Sequence, residues 1–411
     1  MKKTTFVLIV SFLIITEVFT GCRSNMENKL DKTVDHAIET SLKCLERSVA
    51  EVGNPKLYPT YATKELKWKL DSSSNWVSGF YPGSLWKAYE LSNDNRFKDW
   101  AEKWTAGIED QKYNTGTHDL GFRFGCAFGN GLRLAPNDSA TAGYKNILQT
   151  AARTADSRFF AQAGVYPSDW DAHPLPNSRP MVIDVMMNLE LLMWAANHGG
   201  DPEIMNRCIS HTQRSFHDLI REDGGSFHVV RYDKATGEVL GKGQLQGDTD
   251  SSTWSRGHAW MVYGLVVVYR YTKDPRYLDM VTKVADYFID HLPPDQIANW
   301  DFQSKLDHRD ASASAIVASA LFELQDYLAA KEKEEYYLEH AEKILQSLCS
   351  SPYFSNGEGT NCLLLHSTQY FGVTENTDVP CSFADYYFLE SLVRYKRIRS
   401  GKPAVDTNAA Y

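Results

Sequence analysis

Hydrophobic positions recur every three and four residues along most of the chain, and this period predicts helices. The predicted helices are of two types that alternate. The first type carries charges on one face, often after an aspartate suited to cap the helix, which is typical of helices with one face in solvent. Its six members span residues 31–52, 94–111, 138–157, 201–222, 274–292 and 331–349.

The second type is rich in glycine, small residues and aromatics and has few charges, so it must be buried on most sides. Its six members span residues 78–91, 119–134, 181–197, 255–271, 311–329 and 383–397. Six outer-then-inner pairs predict an all-α fold, an (α/α)6 barrel of six helical hairpins with the apolar helices inside. A solenoid of helical pairs is the competing architecture, but the chain shows no constant 34-residue period.

One segment breaks the helical pattern. Residues 225–240 alternate apolar and polar positions around a turn at 234–237, which predicts a β-hairpin. The segments that precede inner helices lie at one rim of such a barrel, so the hairpin is expected there. A Trp-x-x-Gly pattern heads two inner helices, at Trp76 and Trp254, and fits an internally repeated architecture.

The N-terminus has the pattern of an export signal. Lys2 and Lys3 precede an apolar run at residues 6–15 that is too short to span a bilayer, and Cys22 follows. Three regions are therefore predicted: a lipoprotein signal peptide at 1–21, a polar tether at 22–30 and one catalytic domain at 31–400.

Cleavage before Cys22 and acylation of its thiol would anchor the mature chain to a membrane. Phe19 departs from the aliphatic residue usual in lipoprotein signals, and an ordinary cleaved signal peptide is the alternative. Both alternatives predict a protein exported to the bacterial periplasm or outer membrane.

Composition narrows the function classes. With 411 residues, 43% of them hydrophobic, the chain can bury a large core. A net charge of −9 without a basic stripe argues against a nucleic-acid partner. The cysteines and histidines show no metal-binding spacing, so no metal site is predicted, and the signatures of nucleotide-binding, serine-hydrolase and zinc-protease families are missing from the sequence.

Residues able to carry chemistry collect where the inner helices begin. They are His118 and Asp119 at the second inner helix, Asp184 in the third, and Gln246, Arg256 and Trp260 at the fourth. If the inner helices run parallel, as the alternation requires, these starts share one rim and form a single pocket.

Asp119 and Asp184 would form a carboxylate pair, which is the usual equipment for cleaving a glycosidic bond. The structural alternative for Asp119 is a helix N-cap. For Asp184 it is an acid favoured in a first helical turn, or a partner of Asn188. Its apolar neighbours make Asp184 the stronger candidate. Burial among them would raise its pKa, whereas the helix start would lower it, so a carboxyl that both gives and accepts a proton is plausible.

Arg256 and Trp260 lie four residues apart on one helix face, which would place a guanidinium beside an indole. Such a pair suits a carboxylated sugar. The alternative is a salt bridge from Arg256 to Asp248 or Asp250, with Trp260 in the core.

The other candidates also have structural alternatives. Three polar residues could form hydrogen bonds that support the fold: His118, His228 and Gln246. Three aromatic residues could belong to the core and not to the walls of a sugar cleft: Trp76, Phe80 and Trp170.

Four motifs now identify a family. They are Trp76-Val-Ser-Gly-Phe-Tyr-Pro-Gly83, Thr117-His-Asp-Leu-Gly-Phe122, Ile183-Asp-Val-Met-Met-Asn-Leu189 and Gly247-Asp-Thr-Asp-Ser-Ser-Thr-Trp-Ser-Arg-Gly-His-Ala-Trp260. Because these four motifs occur in this order, the chain resembles the unsaturated glucuronyl hydrolases of glycoside hydrolase family 88. The resemblance extends from about residue 31 to residue 397. The resemblance implies an (α/α)6 barrel that uses no metal and no organic cofactor.

The resemblance also implies roles for individual residues. Asp184 corresponds to the general acid/base, Asp119 to a second aspartate that contacts substrate hydroxyls, and His118 to its neighbour. Around the uronate it places His228, Gln246, Arg256 and Trp260, and on the aromatic walls Trp76, Phe80 and Trp170. Leu245 departs from members that carry histidine at this position, which leaves that contact open.

The implied reaction is hydration of the C4=C5 double bond that polysaccharide lyases leave on a terminal uronate. The expected substrates are disaccharides of chondroitin, hyaluronan or heparin type, with selectivity set near residues 366–370. The alternatives are a family 105-like unsaturated rhamnogalacturonyl hydrolase acting on pectin fragments, and a lipoprotein that only binds sugars. The only membrane contact expected is a lipid anchor.

Overall fold

The structure is a computed structural model that describes residues 3–372, 375–407 and 411, with side chains from Asn28 onwards. The described residues form thirteen α-helices. In chain order they are α1 (Lys3–Val52), α2 (Phe80–Ser92), α3 (Asn95–Ala106), α4 (Leu120–Phe124), α5 (Asn130–Leu134), α6 (Tyr144–Asp156), α7 (Leu189–Asn197), α8 (Glu203–Leu219), α9 (Ser255–Thr272), α10 (Arg276–Asp290), α11 (Ala311–Leu324), α12 (Lys331–Leu348) and α13 (Ser382–Arg399). A π-helical segment, Gly125–Gly129, joins α4 to α5, and 3₁₀ segments lie at Glu109–Tyr113, Ile183–Asn188 and Gln325–Tyr327.

The inner helices close a ring through their contacts. α2 contacts α13, α13 contacts α11, and α11 contacts α9. α9 then contacts α7 and the 3₁₀ segment before it, both of which touch α4, and the π-helical segment and α5 return to α2. The outer helices α3, α8, α10 and α12 each pack on the inner helix that precedes them. The predicted barrel of six helical hairpins is confirmed.

Burial separates the two helix types as the sequence pattern predicts. Every residue of α11 is buried, and its many alanine and serine side chains let α9 and α13 approach closely. On the outer helix α10, the buried residues Tyr277, Val281, Val284 and Phe288 are spaced four, three and four apart and form one apolar stripe.

Two small antiparallel sheets accompany the helices. β1 (Tyr58–Ala62) pairs with β2 (Trp68–Asp71), and β3 (Ser178–Val182), β4 (Val229–Asp233) and β5 (Val239–Gly243) form a sheet in that order. β4 and β5 are the predicted hairpin, shifted towards the C-terminus by a few residues. β3 is an addition that the sequence pattern did not predict.

The prediction of one inner helix over residues 181–197 is wrong at its start. Met181 and Val182 belong to β3 and pair with β4, and α-helical geometry begins only at Leu189. Pro180 offers no N–H to a helix, and β-branched residues such as Val182 favour a strand. An apolar run of this length fits either a buried strand or a buried helix.

The N-terminal regions predicted at 1–21 and 22–30 fall mostly on residues whose side chains are not described, and Met1, Lys2 and Cys22 are among them. Leu30 is the first described side chain that is buried against the barrel, one residue before the predicted domain start. In the described part of the chain, none of the helices combines the length and the apolar character needed to cross a bilayer.

A buried ionic network lies at the far end of the barrel and connects the last turns of α9 and α11 with α13 and the start of α7. Glu323 of α11 accepts two hydrogen bonds from Arg270 of α9, both 2.7 Å, and lies 3.2 Å from Arg394 of α13. Arg270 also pairs with Glu190 of α7. Four inner helices are thus joined by charged groups that are shielded from water.

Candidate active site

An open cavity of about 520 Å³ lies at the rim where the inner helices begin. It brings together most of the residues predicted from the sequence: Trp76, His118, Asp119, Trp170, Asp184, His228, Gln246 and Arg256. Segments far apart in the chain meet there because the inner helices start at the same end of the barrel.

Asp184 lies where strand β3 gives way to the 3₁₀ segment Ile183–Asn188, and its side chain is 19% exposed to the cavity. The backbone N–H of Ile183 donates to the His228 carbonyl over 3.0 Å, which brings the two side chains together. Nε2 of His228 lies 3.2 Å from Oδ2 of Asp184.

Asn188 plays a different part from the one considered in the sequence. Its Nδ2 donates to the backbone carbonyl of Asp184 over 3.4 Å, and its Oδ1 accepts from the backbone N–H of Phe122 over 3.1 Å. A β-carbon on Gly121 would lie 2.5 Å from the Asn188 Cα, so only glycine permits this approach. Asn188 therefore fixes the segment of Asp184 against α4.

Two opposing effects set the pKa of Asp184. Burial raises it, but the contact with His228 and the positive charges of His118 and Arg256 lower it by more. The pKa therefore lies below its ordinary value, and Asp184 is a carboxylate in the unliganded protein. From the sequence, only burial and the helix start could be considered as effects on the pKa of Asp184, because the contact with His228 depends on the fold.

Asp119 sits at the N-terminal edge of α4, and its carboxyl turns towards the loop before the helix. It accepts a hydrogen bond of 3.2 Å from the Thr117 hydroxyl, and Nε2 of His118 lies 3.4 Å away. Among the described contacts, the side chain makes no capping hydrogen bond to α4, so the alternative role as an N-cap does not account for it. Burial raises the pKa of Asp119, and this outweighs the charges of His118 and Arg123.

The two carboxyls therefore differ in their affinity for a proton although they face one cavity. The pKa of Asp119 is raised and that of Asp184 is lowered, and the negative charges of Asp169 and Asp184 contribute to the rise at Asp119. Pairs of carboxyls with divergent environments are the usual means by which one site both gives and accepts protons. The arrangement can support acid/base chemistry on a bound sugar.

Asp169 is a site residue that the sequence reasoning missed. Its Oδ1 accepts from both Nδ1 and the backbone N–H of His118, at 2.5 and 2.8 Å. Burial lowers the pKa of His118, but the charge of Asp119 and the hydrogen bond to Asp169 raise it to about 9. The same contacts overcome burial and hold the pKa of Asp169 at about 2. His118 is therefore protonated at neutral pH.

His118, Asp119 and Asp169 also bring possible metal-ligand atoms within 4.8 Å of one another. Both ring nitrogens of His118 face carboxylates, and a protonated imidazole has no lone pair to give to a metal. This donor set suits a charge cluster better than a metal ion.

Arg256 is 1% exposed and ties three segments together. Its Nη1 donates to Asp310 over 3.0 Å and to the Thr368 carbonyl, and its Nη2 donates to the Gln369 carbonyl over 2.7 Å and to Oε1 of Gln246 over 3.1 Å. Within the described chain, Nε is left without a partner. The salt bridge considered from the sequence exists, but with Asp310 in place of Asp248 or Asp250.

Two residues predicted to contact the sugar lie below the cavity. Phe80 and Trp260 are fully buried, with ring centroids 5.4 and 5.3 Å from that of Phe122. Trp260 lies one turn beyond Arg256 along α9, and Phe80 opens α2 four residues after Trp76, so both rings lie deeper in the barrel than the cavity residue before them. The guanidinium of Arg256 instead lies over the rings of Trp254 and Phe383.

The outer wall of the cavity is aromatic. Trp170 is 38% exposed, and its ring centroid lies 6.1 Å from that of Tyr370 in an edge-to-face arrangement. Tyr370 and Gln369 belong to the loop proposed from the sequence to set selectivity, and both line the cavity. A carboxylate beside a wall tryptophan, as in Asp169-Trp170, was the sequence signal that could have revealed Asp169.

Known proteins resemble this chain in sequence and in fold. The chain matches the family model described as Glycosyl Hydrolase Family 88 over residues 51–387. It is 35% identical to the unsaturated glucuronyl hydrolase of Formosa agariphila, over 97% of this chain and 99% of the relative.

Solved structures agree with this match. A crystal structure of an unsaturated glucuronyl hydrolase specific for heparin is 33% identical, with a TM-score of 0.84 over 90% of this chain and 98% of that one. An aspartate-to-asparagine variant of the Streptococcus agalactiae enzyme in complex with dGlcA-GalNAc6S is 29% identical, with a TM-score of 0.74 over 88% and 91%. The barrel, its motifs and these matches together show that the chain belongs to Glycosyl Hydrolase Family 88.

Proposed function

We propose that this chain is an unsaturated glucuronyl hydrolase that removes the terminal 4,5-unsaturated uronate from lyase-generated glycosaminoglycan disaccharides. One observation carries the proposal: Asp119 and Asp184, whose pKa values are shifted in opposite directions, face one cavity that also contains Gln246 and Arg256. The activities named for the related proteins, on unsaturated glucuronyl and chondroitin disaccharides, support the same substrate class.

The reaction begins at the double bond. Asp184 protonates C4 of the unsaturated ring, and a water molecule adds at C5 after giving its proton to the resulting carboxylate. The hemiketal at C5 then collapses, the ring opens and the second sugar leaves. One carboxyl acts first as acid and then as base, while Asp119 holds substrate hydroxyls.

The uronate carboxylate has a partner on the wall of the cavity. Arg256 donates to Oε1 of Gln246, so the amide NH₂ of Gln246 is turned away from the guanidinium and is available to the substrate. The guanidinium of Arg256 is 1% exposed and acts on the substrate through its positive charge. Both groups suit a carboxylate at C5, which places C4 and C5 beside Asp184.

Substrate binding changes the proton affinity of Asp184. The uronate carboxylate brings a negative charge close to Arg256, whose positive charge contributes to the low pKa of Asp184. Added negative charge favours the protonated form of a neighbouring carboxyl. Binding thus prepares Asp184 to act as an acid, although the free protein holds it as a carboxylate.

A pH dependence follows from this shift. A general acid is lost as pH rises through its pKa, and kcat/KM reports the free enzyme while kcat reports the complex. We expect kcat/KM to decline at a lower pH than kcat, with the two midpoints about one unit apart or more. Initial rates over a range of pH and substrate concentration measure both; coincident midpoints would contradict the argument.

A panel of unsaturated disaccharides tests the substrate class. Chondroitin, hyaluronan, heparin and pectin disaccharides are compared by the loss of their double-bond absorbance. Turnover of one or more glycosaminoglycan disaccharides is expected. Preference for the pectin disaccharide, or binding without turnover of any, would reject the proposal.

We also propose that the protein is exported and anchored by a lipid on Cys22. The support is the order of Lys2 and Lys3, the apolar run at residues 6–15 and Cys22. Cys22→Ser should abolish labelling by a radioactive fatty acid in a bacterial host and release the protein from the membrane fraction. Cys208→Ser, at a buried cysteine of α8, is the control that should keep the label. Equal labelling of both variants would contradict the anchor.

A further inference from the structure

His118 is held by two contacts to a single carboxylate oxygen. Oδ1 of Asp169 accepts from the ring Nδ1 at 2.5 Å and from the backbone N–H at 2.8 Å. The other ring nitrogen, Nε2, lies 3.4 Å from Oδ1 of Asp119. With Nδ1 fixed in this way, the ring has one orientation, and that orientation aims Nε2 at Asp119.

Asp169 is itself held in place from a third element. Arg158, which follows α6, lies 3.8 Å from Asp169 and donates to the carbonyls of Thr115 and Pro167, the latter over 3.1 Å. These carbonyls belong to the two loops that carry His118 and Asp169. Arg158 therefore clamps together the segments whose side chains form the His118–Asp169 pair.

We propose that Asp169 is a positioning residue that fixes the ring of His118, with Nε2 directed at Asp119, and keeps His118 positively charged beside Asp119. Local sequence spacing does not reveal this contact, because Asp169 lies 51 residues from His118. Its importance for turnover rests on the proposed function, but the ring orientation and charge of His118 do not.

The charged groups around His118 define what Asp169 contributes. Asp119 and Asp184 also attract a proton to the ring, and Arg158 opposes this by its charge near Asp169. Among these charged groups, Asp169 alone accepts a hydrogen bond from Nδ1, and the Ser168 hydroxyl lies 3.5 Å from the same nitrogen. Replacing Asp169 by asparagine removes the negative charge and leaves Nδ1 a neutral amide oxygen, a weaker acceptor, while the side-chain volume is conserved.

The test is an NMR titration of His118 in the full chain labelled at its histidines, with His118→Gln used to assign the signal. In the unmodified protein the midpoint is expected near pH 9. Asp169→Asn should lower it by about one unit or more, a tenfold or greater loss of proton affinity. Asp169→Glu, which keeps the charge, should recover much of the difference and serves if the asparagine variant does not fold.

Asp171→Asn is the matched control. Asp171 lies two residues away and pairs with Arg231 of β4, so its replacement loosens the same segment without touching His118. The control should leave the His118 midpoint in place. An unchanged midpoint in Asp169→Asn, or an equal fall in Asp171→Asn, would overturn the proposal.

A kinetic measurement links the titration to turnover. With an unsaturated disaccharide, Asp169→Asn should lower kcat about tenfold, because the lost charge acts on Asp119 and Asp184. If no variant and no unmodified protein turns over any uronate while the titration behaves as expected, the proposed function fails and the positioning role stands.

Discussion

Replacement of Asp184 by asparagine is expected to lower kcat about 10³-fold or more, with the fold intact. The amide cannot protonate C4 and cannot accept a proton from water, so both halves of the acid/base step are lost. The affinity for the disaccharide should change far less, since Gln246 and Arg256 are untouched. The loss of double-bond absorbance under saturating substrate measures kcat, and equilibrium binding measures affinity.

Asp248→Asn provides the control for charge. Asp248 is exposed on the same rim, and the exchange removes one negative charge there as well. Its kcat should stay within about twofold of that of the unmodified protein, as is usual for the substitution of an exposed surface residue. Turnover by Asp184→Asn at a comparable rate would reject Asp184 as the acid/base.

Replacement of Glu323 by glutamine is expected to cost about 3–5 kcal/mol of stability. Glu323 is 1% exposed and accepts both hydrogen bonds from Arg270, while Arg394 lies 3.2 Å away. Burial disfavours its charge, but the two guanidinium groups lower its pKa below the ordinary value. Glutamine would leave two buried cations with one negative partner fewer. Urea unfolding followed by tryptophan fluorescence measures the loss.

Glu332→Gln is the matched control for stability. Glu332 is exposed on the outer helix α12, where the same exchange should change the unfolding free energy by less than about 0.5 kcal/mol. The network lies at the opposite end of the barrel from the cavity, so Glu323→Gln should keep its kcat/KM at temperatures where it is folded. Equal stability of the two variants would show that the network contributes little.

The helical period predicted the architecture because burial and period are directly linked. A helix that is apolar on all sides has to be enclosed, and six such helices alternating with amphipathic ones leave few arrangements other than a ring. The start of the third inner helix was not predicted correctly by this argument. Residues 181–188 are apolar enough for either a strand or a helix, and the choice depends on pairing with β4, which lies more than forty residues away.

The sequence predicted which residues form the candidate site better than it predicted where they lie. The starts of the inner helices supplied both aspartates, but helical spacing gives the face of a residue and not its depth. The sequence therefore places Phe80 and Trp260 on the cavity wall, whereas both side chains are fully buried below it. The partners Asp169 and Asp310 come from distant segments, 51 and 54 residues from His118 and Arg256, and local patterns contain no information about such contacts.

The pairing of β3 with β4 has a consequence for redesign. Val182 is opposite Val229 in the ladder, and Asp184 and His228 lie just beyond that pair on the two strands. The distance between the two side chains is therefore set by a few backbone hydrogen bonds and is insulated from the length of the turn at the other end of the β4–β5 hairpin. New sequence grafted into that turn should therefore leave the proton-transfer geometry unchanged.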